Sequence, residues 1–563
     1  MRARGLLLAI ALAAVFAAPA SPHPARVELV ARGDVPATAM TRLAREADDA
    51  AARVDTWLGI DASAVTLRCE VYPTLEAKGL ATGYTLPTHA FPAQGLVVCA
   101  AEDGFEGELG REVAAALIMR VLGRSACDFL EEGLAVACAR GWRGKGCRYW
   151  AARLASYQDV GDLGHWLDNQ SYRAESPLVR RAVAGEFVTR LVEVRGAVPL
   201  VKAFASWAPW GATRAALEQE WRAHLGELRR QRARSSGKRH PLPHYVRGFC
   251  HAHEGYSIRD GYLSGESDRS LAALRELGVN GVSLTPFTFL RAAGRPARFP
   301  FSSGAGAEND ESVIHASLVA RRAGMTVMLK PHVWVGGGWP GEVAFDSAAE
   351  WDAFFAHYER WIRHYALLAE MYDLDLFCAG VELTRATVGH EARWIDMVGR
   401  LRTVYHGRIT YAANWGGEFE NVTFWKAFDY IGLDCYYPLD PGEAAGDAEL
   451  ERGARAVLDR VEKVAAAYRR PVLITEFGFA STPSPWRSPH DESAAPGVDL
   501  AAQARCYDAF LGALPGRERI AGVYAWKWPS VLGEGGRSHA GFTPAGKPAE
   551  QVIRRWYRGA LAR

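Results

Sequence analysis

Short runs of apolar and β-branched residues recur along the second half of the chain, and segments with helical spacing separate most of them. The runs predict strands at Arg247–Cys250, Gly281–Leu284, Thr326–Leu329, Leu376–Gly380, Ile409–Ala412, Tyr430–Leu433, Val472–Thr475 and Ile520–Ala525. Amphipathic helices are predicted at Asp268–Leu277, Ala348–Tyr372, Leu450–Tyr468, Leu500–Leu514 and Pro548–Leu561. This alternation is typical of an α/β protein with a (β/α)8 TIM barrel, which we predict for residues 244–563. An open doubly wound sheet is the alternative.

The first half of the chain has a different pattern. Strands are expected at Val27–Val30, Val65–Tyr72 and Gly95–Ala100, and helices at Thr41–Leu58, Leu109–Leu122, Asp128–Arg140 and Pro177–Arg195. We therefore predict a smaller α+β domain, mostly helical, over residues 26–230. The segment 231–243 is basic, polar and punctuated by proline, and is expected to be a linker.

The first twenty or so residues have the pattern of a secretory signal peptide. Arg2 and Arg4 precede the apolar run Leu6–Ala18, and Ala18-Pro19-Ala20 offers small residues for cleavage. We expect residues 1–20 to be removed near Ala20, which would make the protein secreted or periplasmic. No later stretch is long and apolar enough to span a membrane.

Charge and cysteine content narrow the possible partners. The chain has 66 Lys and Arg against 64 Asp and Glu, a formal net charge of +2, which argues against a nucleic-acid partner. Of the nine cysteines, Cys69 and Cys99 are candidates for a disulfide in an oxidising compartment. No C-x-x-C pair supports a structural zinc site.

Two glutamates follow predicted strands of the barrel. Glu382 ends the fourth strand and Glu476 the seventh, and chemistry in such barrels occurs at the C-terminal ends of the strands. A pair of carboxylates there suits glycoside hydrolysis, in which one group attacks the sugar and the other transfers protons. Two unrelated glutamates on loops are the alternative.

Five short segments of the sequence resemble those of a known enzyme family. LKPHVW (329–334), FCAGVEL (377–383), YIGLDCYYPL (430–439), ITEFGF (474–479) and GVYAWKWPS (522–530) resemble glycoside hydrolase family 113, which contains β-1,4-mannanases, over about 247–561. The resemblance implies a retaining glycosidase that acts on a β-linked polysaccharide or oligosaccharide, with β-1,4-mannan or glucomannan expected. It implies that Glu382 is the acid/base, that Glu476 is the nucleophile, and that no cofactor or metal is needed.

The resemblance also implies which side chains contact the sugar. Tyr436 or Tyr437 would bond the nucleophile, Trp526 would form the floor of the cleft, and the lining would be His332, Trp334, Asn414 and Trp415. Trp528 and His253 are further candidates, with packing roles as their alternatives. A helix cap is the alternative role of Asn414, and a buried ion pair is the alternative role of Lys330 with Asp434. The loops 286–310 and 479–500 are expected to frame the cleft.

One position departs from the pattern of clan A, the wider group of glycoside hydrolases that this resemblance implies. Many of its members carry Asn directly before the acid/base residue, where the amide bonds the sugar 2-hydroxyl, but this chain has Val381. The group that holds the 2-hydroxyl, and with it the identity of the sugar, is therefore left open.

Two other functions remain as alternatives. His251-x-His253 after the first strand resembles the metal pair of barrel amidohydrolases, but the remaining ligand positions hold Asn414, Tyr436 and Trp526, so we predict no metal. The other alternative is a non-catalytic carbohydrate-binding or cell-envelope protein on the same barrel.

The N-terminal region resembles a degenerate gluzincin metallopeptidase. Residues 111–115 (REVAA) occupy the place of H-E-x-x-H, and residues 131–135 (EEGLA) follow on the next helix. Arg111 and Ala115 replace both zinc-binding histidines. The resemblance implies a pseudo-peptidase domain without zinc that docks a glycan, a protein partner or the barrel. An unrelated domain with Glu131 and Glu132 facing solvent is the alternative.

Overall fold

The structure is a computed structural model that describes residues 26–156, 158–205, 213–231, 241–253 and 255–562. The predicted signal peptide and most of the predicted linker lie outside the described residues. None of the described helices is long and apolar enough to cross a membrane.

The N-terminal region is a small sheet covered by helices. Its strands are β1 (Val27–Ala31), β2 (Leu67–Tyr72), β3 (Thr88–Phe91) and β4 (Leu96–Ala100), in the order β1-β2-β4-β3, with only β3 antiparallel. Its helices are α1 (Ala37–Thr56), α2 (Leu75–Thr82), α3 (Glu108–Leu122), α4 (Asp128–Cys138), α5 (Cys147–Leu154), α6 (Leu163–Leu167), α7 (Asn169–Ala174), α8 (Pro177–Arg195), α9 (Ala197–Ala203) and α10 (Arg214–Gln231).

Helix α8 begins and ends where its sequence directs. Pro177 occupies the first turn, where no backbone N–H is needed, and the Ser176 hydroxyl accepts the Val179 N–H at 3.3 Å. Gly196 follows the last helical residue with a φ of 76°. The predicted bounds of this helix are therefore confirmed.

Cys69 and Cys99 lie side by side in this sheet as thiols. Their sulfur atoms are 3.6 Å apart, well beyond the ~2.05 Å of a disulfide bond. All nine cysteines are free and buried in the structure. The expected disulfide is thus absent, although neighbouring strands bring the predicted pair together.

Residues 246–562 form the predicted barrel. Its eight strands are β5 (Val246–Ala252), β6 (Gly281–Leu284), β8 (Thr326–Leu329), β10 (Leu376–Val381), β11 (Arg408–Asn414), β12 (Ile431–Asp434), β13 (Val472–Phe477) and β14 (Ile520–Pro529). They are parallel and close in the order β10-β11-β12-β13-β14-β5-β6-β8. The surrounding helices are α11 (Gly265–Leu277), α12 (Asp310–Arg322), α13 (Ala348–Met371), α14 (Thr384–Thr387), α15 (Glu391–Val404), α16 (Glu418–Asn421), α17 (Asp447–Tyr468), α18 (Leu500–Gly512) and α19 (Pro548–Arg558).

The barrel strands are buried on both faces. Every residue of β6, β10 and β13 is buried, because side chains fill the barrel interior and helices cover the outside. This burial explains why these runs are continuously apolar instead of alternating. The prediction of a (β/α)8 barrel is confirmed.

A short parallel ladder outside the barrel was not predicted. β7 (Phe287–Leu290) pairs with β9 (His332–Val335), placing Phe287 opposite His332 and Phe289 opposite Trp334. Both strands alternate between buried and more exposed residues. The ladder follows β6 and β8, so it extends from the end of the barrel at which active sites lie.

The N-terminal region packs against α12 and α13 through a polar interface. Arg363 of α13 donates to Glu175 at 2.9 Å, with both side chains at most 2% exposed. Thr85 donates to Glu311 of α12 at 2.7 Å. His315, also on α12, bridges Glu102 of the N-terminal region and Asp268 of α11. Buried hydrogen-bonded pairs therefore join the two regions, and these pairs can form only when the two surfaces are correctly aligned.

Candidate functional site

Glu382 and Glu476 line one cavity of about 660 Å³ at the C-terminal end of the barrel. Glu382 directly follows β10, and Glu476 lies near the end of β13, with β11 and β12 between the two strands. Parallel strands in a closed barrel present their C-terminal ends at the same rim, which is why residues so distant in sequence share one cavity. The predicted carboxylate pair is thus brought together.

Glu476 is surrounded by groups that stabilise its anion. The buried ammonium of Lys330 donates to Oε1 and also lies 3.5 Å from Asp434. The Tyr436 hydroxyl donates to Oε2 at 2.7 Å. Burial lowers the pKa of Lys330, but the Asp434 and Glu476 carboxylates more than offset this and raise it overall. Lys330 therefore remains a cation, which favours an ionised, nucleophilic Glu476.

Glu382 has a different environment. Its Oε1 accepts the Asn414 side-chain amide at 2.8 Å, and its Oε2 accepts the Trp339 indole N–H at 2.7 Å. Burial raises the pKa of Glu382, and the nearby Glu476 charge raises it further, against the smaller effect of the two hydrogen bonds. The side chain is partly open to the cavity, but protein groups surround it, so water solvates its charge poorly. A carboxyl held toward its protonated form can act as a general acid.

The backbone at Glu382 is unusual. Its φ is +51°, which non-glycine residues adopt rarely, and its N–H donates to the Ala412 carbonyl at 2.8 Å. The following N–H, of Leu383, donates to the Tyr411 hydroxyl at 2.7 Å. Contacts from β11 therefore hold the turn that presents Glu382 to the cavity.

Glu418 was missed in the sequence, although it connects this turn to Asn414. One of its carboxylate oxygens accepts the Tyr411 hydroxyl at 2.6 Å and the Thr387 hydroxyl at 2.7 Å. The other accepts the Asn414 backbone N–H at 2.7 Å and the Thr384 hydroxyl at 3.2 Å. Burial raises the pKa of Glu418 to about 7. A Glu four residues after Asn414 carries no sequence signal, since its role depends on partners from two other elements, β11 and α14.

Most of the predicted sugar contacts do line the cavity. His332, Trp334, Asn414, Trp415, Tyr436 and Trp526 all contribute to its wall. The rings of His332 and Trp526 stack with their planes 18° apart, and His332 Nε2 is 3.9 Å from Glu476. Asn414 bonds Glu382 and caps no helix. Val381 also reaches the wall and offers no polar group there.

Tyr437 lies behind the wall. The Tyr436 hydroxyl reaches Glu476, whereas the Tyr437 hydroxyl donates to Glu420 and its ring packs edge-on against Trp415 at 5.5 Å. Successive residues of an extended segment point to opposite sides, so only one of the two tyrosines can face the nucleophile.

Trp528 and His253 are also placed away from the cavity. Trp528 is 2% exposed, donates to the Ser270 carbonyl at 3.2 Å and packs against Phe249 of β5. The His253 ring is buried against Tyr262. Both therefore have the packing roles that were their alternatives. His490, Phe542 and Trp339 also line the wall, and none of the three is among the sugar contacts that we predicted from the sequence.

His251 and His253 form no metal site in the described structure. His251 Nε2 lies 3.0 Å from the Ser267 hydroxyl. Within the ranges that the structure describes, no group of three or more His, Cys, Asp and Glu side chains is arranged to hold a metal ion.

Arginines surround Glu132 in the N-terminal region. Glu132 accepts the Tyr172 hydroxyl at 2.6 Å and the Arg181 guanidinium at 2.7 Å. Burial raises the pKa of Glu132, but Arg181, Arg180 and Arg111 lower it to about 2 overall. Glu132 therefore does not simply face solvent, as the alternative had it. Its charge is balanced by guanidinium groups.

The fold and the site together define the class of protein. A closed parallel barrel carries two carboxylates in one cavity, one favoured as an acid and one held as an anion, and aromatic rings line the space between strand ends. This arrangement is that of a glycoside hydrolase.

Comparison with known proteins identifies the family. The profile of Glycoside Hydrolase Family 113 matches residues 253–547, more than half of the chain, and the protein belongs to this family. No curated protein matches the chain.

Solved structures give the same assignment for the barrel. A family 113 β-mannanase from Alicyclobacillus acidocaldarius, in complex with ManMIm, is 29% identical and aligns with a TM-score of 0.51 over 56% of this chain and 98% of its own. A family 113 β-1,4-mannanase is 24% identical, with a TM-score of 0.50 over 56% of this chain and all of its own. Each of these two alignments covers 56% of this chain, which is about the length of the barrel.

Proposed function

We propose that the protein is a retaining β-mannanase that hydrolyses β-1,4-mannan or glucomannan by double displacement. The observation that carries this proposal is the unequal environment of the two carboxylates. Lys330 and Tyr436 stabilise Glu476 as an anion, while burial and the charge of Glu476 favour the protonated form of Glu382. The similar structure from Alicyclobacillus acidocaldarius is that of a β-mannanase, which supports the choice of sugar.

In the proposed first step, a carboxylate oxygen of Glu476 attacks the anomeric carbon. Glu382 donates its proton to the leaving glycosidic oxygen, and a covalent glycosyl-enzyme forms. In the second step, Glu382 removes a proton from water, and the water oxygen displaces Glu476 with net retention of configuration. Trp526 lies against His332 beside Glu476, so it is placed to contact the sugar ring in the cleft.

The test measures reducing-sugar release from β-mannan, glucomannan, cellulose, xylan and chitin. Wild type, Glu476→Gln and Glu382→Gln are compared with Glu443→Gln, a control whose side chain is 87% exposed. Release from mannan that is lost in both cavity variants and kept in the control supports the proposal. NMR of the first anomer formed tests retention, and an inverted product would refute the double displacement.

Absence of release from every substrate by folded wild type would favour the alternative, a non-catalytic carbohydrate-binding or cell-envelope protein on the same barrel. The intact carboxylate pair argues for the enzyme. The pattern of residues 1–20 supports export, so we place the activity outside the cytoplasm, and N-terminal sequencing of the mature protein tests cleavage near Ala20. The pseudo-peptidase origin of the N-terminal region stays a proposal that rests on residues 111–115 and 131–135.

A further inference from the structure

The ladder of β7 and β9 exposes two large aromatic side chains next to each other. Phe289 is 55% exposed and Trp334 is 53% exposed, and the two residues are direct cross-strand partners. The neighbouring Leu290 and Val335 are only 3% and 6% exposed. The ladder therefore buries its aliphatic face against the protein and turns its aromatic face outward, which core packing does not require.

This aromatic face continues the wall of the catalytic cavity. Trp334 and His332 lie on the same side of β9, and both line the cavity that contains Glu382 and Glu476. Phe287 packs edge-on against both rings, with centroid separations of 5.9 Å to His332 and 5.4 Å to Trp334. Starting at His332, which is 3.9 Å from Glu476, the rings thus form one row that leads away from the nucleophile.

Phe289 is not part of the cavity lining and is paired with Trp334 across the ladder. A Cβ atom added at Gly336 would lie 3.3 Å from the end of the Phe289 ring, so the glycine lets the ring lie close to the backbone. Because Phe289 is 55% exposed, much of its ring surface is available to a ligand.

We propose that Phe289 and Trp334 form an additional sugar-binding subsite at the outer edge of the catalytic cavity, where they hold a further pyranose unit of the same β-linked glycan. The aromatic rings present apolar faces, and the C–H face of a pyranose ring is the neutral, flat group that stacks on them. This inference rests on the proposed function, because the glycan must extend from Glu476 along the row of rings.

The test uses the full chain with Glu476→Gln, so that ligands bind without being cleaved. Affinities for mannobiose and mannohexaose are measured by calorimetry, with and without Phe289→Ala. We expect Phe289→Ala to weaken mannohexaose binding about tenfold and to reduce the preference for the longer ligand. Phe289→Tyr, which keeps the ring, is expected to restore most of that preference. Tyr256→Ala, at a barrel residue that is 87% exposed, is the control.

The outcomes separate this inference from the proposed function. If wild type releases sugar from mannan but Phe289→Ala binds both ligands as tightly as its parent, or weakens both equally, the subsite is refuted and the enzyme stands. If wild type releases sugar from no polysaccharide and the Glu476→Gln chain binds neither ligand, both are refuted. An effect of Tyr256→Ala as large as that of Phe289→Ala would also refute the subsite.

Discussion

Replacing Glu418 by Gln should impair catalysis without a direct contact to the reacting groups. Glu418 accepts hydrogen bonds from Tyr411, Thr387, Thr384 and the Asn414 backbone. Gln has nearly the same shape, but one of its terminal groups is a donor. Two of the four bonds made to the carboxylate must therefore be lost or reversed. The Asn414 N–H cannot reverse its direction, so the Gln oxygen is expected to face it.

The size of the effect follows from the bonds that change. With the Gln amide turned toward Tyr411 and Thr387, the Tyr411 O–H loses its acceptor while that hydroxyl still accepts the Leu383 N–H. Above its pKa of about 7 Glu418 is charged, and a hydrogen bond to a charged group contributes about 1.5–3 kcal/mol. If the energy of the lost bond is the energy that positions Glu382 in the transition state, kcat falls about tenfold to a hundredfold.

The assay is kcat and KM on mannan across pH for wild type, Glu418→Gln and Tyr411→Phe, with thermal melts as the folding control. Tyr411→Phe removes the shared hydroxyl and should lower kcat in the same way, with KM changed less. The alkaline limb of the profile should also move to higher pH, because the hydrogen bond from Asn414 lowers the pKa of Glu382 and weakening that bond lets the pKa rise. An unchanged kcat and pH profile in folded Glu418→Gln would refute this reasoning. If the variant has a lower melting temperature but the same kcat, Glu418 has a purely structural role.

Two further predictions concern the interface between the regions. Arg363→Met leaves the buried Glu175 carboxylate short of one cation and should lower the free energy of unfolding by about 3–5 kcal/mol, measured by urea denaturation. The exposed-pair variant Arg452→Met is its control, and equal losses in the two would contradict the burial argument. Burial lowers the pKa of His315, but Asp268 and Glu102 raise it to about 10. Its stabilisation should therefore be complete below about pH 6.5 and be lost as the pH rises through 10. This would be contradicted if the difference in melting temperature between wild type and His315→Gln stayed constant from about pH 6.5 to about pH 10.

The sequence by itself determined the barrel and the carboxylate pair. Its strand runs are continuously apolar because both faces of each strand are buried, and the predicted bounds of β6 and β8 match the structure. Glu382 and Glu476 were found because each ends such a run, and active-site residues of these barrels lie at the C-terminal ends of the strands. These sequence signals are local, so they can be recognised without knowing which residues lie opposite each strand.

Only the tertiary structure decided which groups act on those carboxylates. Lys330 reaches Glu476 from β8 to β13 across the barrel interior, and Tyr436, not Tyr437, faces the nucleophile. The role of Glu418 and the row of rings on β7 and β9 also depend on pairings between distant segments. The closure and stagger of the barrel set these pairings, and a one-residue change of register would turn each side chain to the opposite face. The sequence of a single strand does not determine that register.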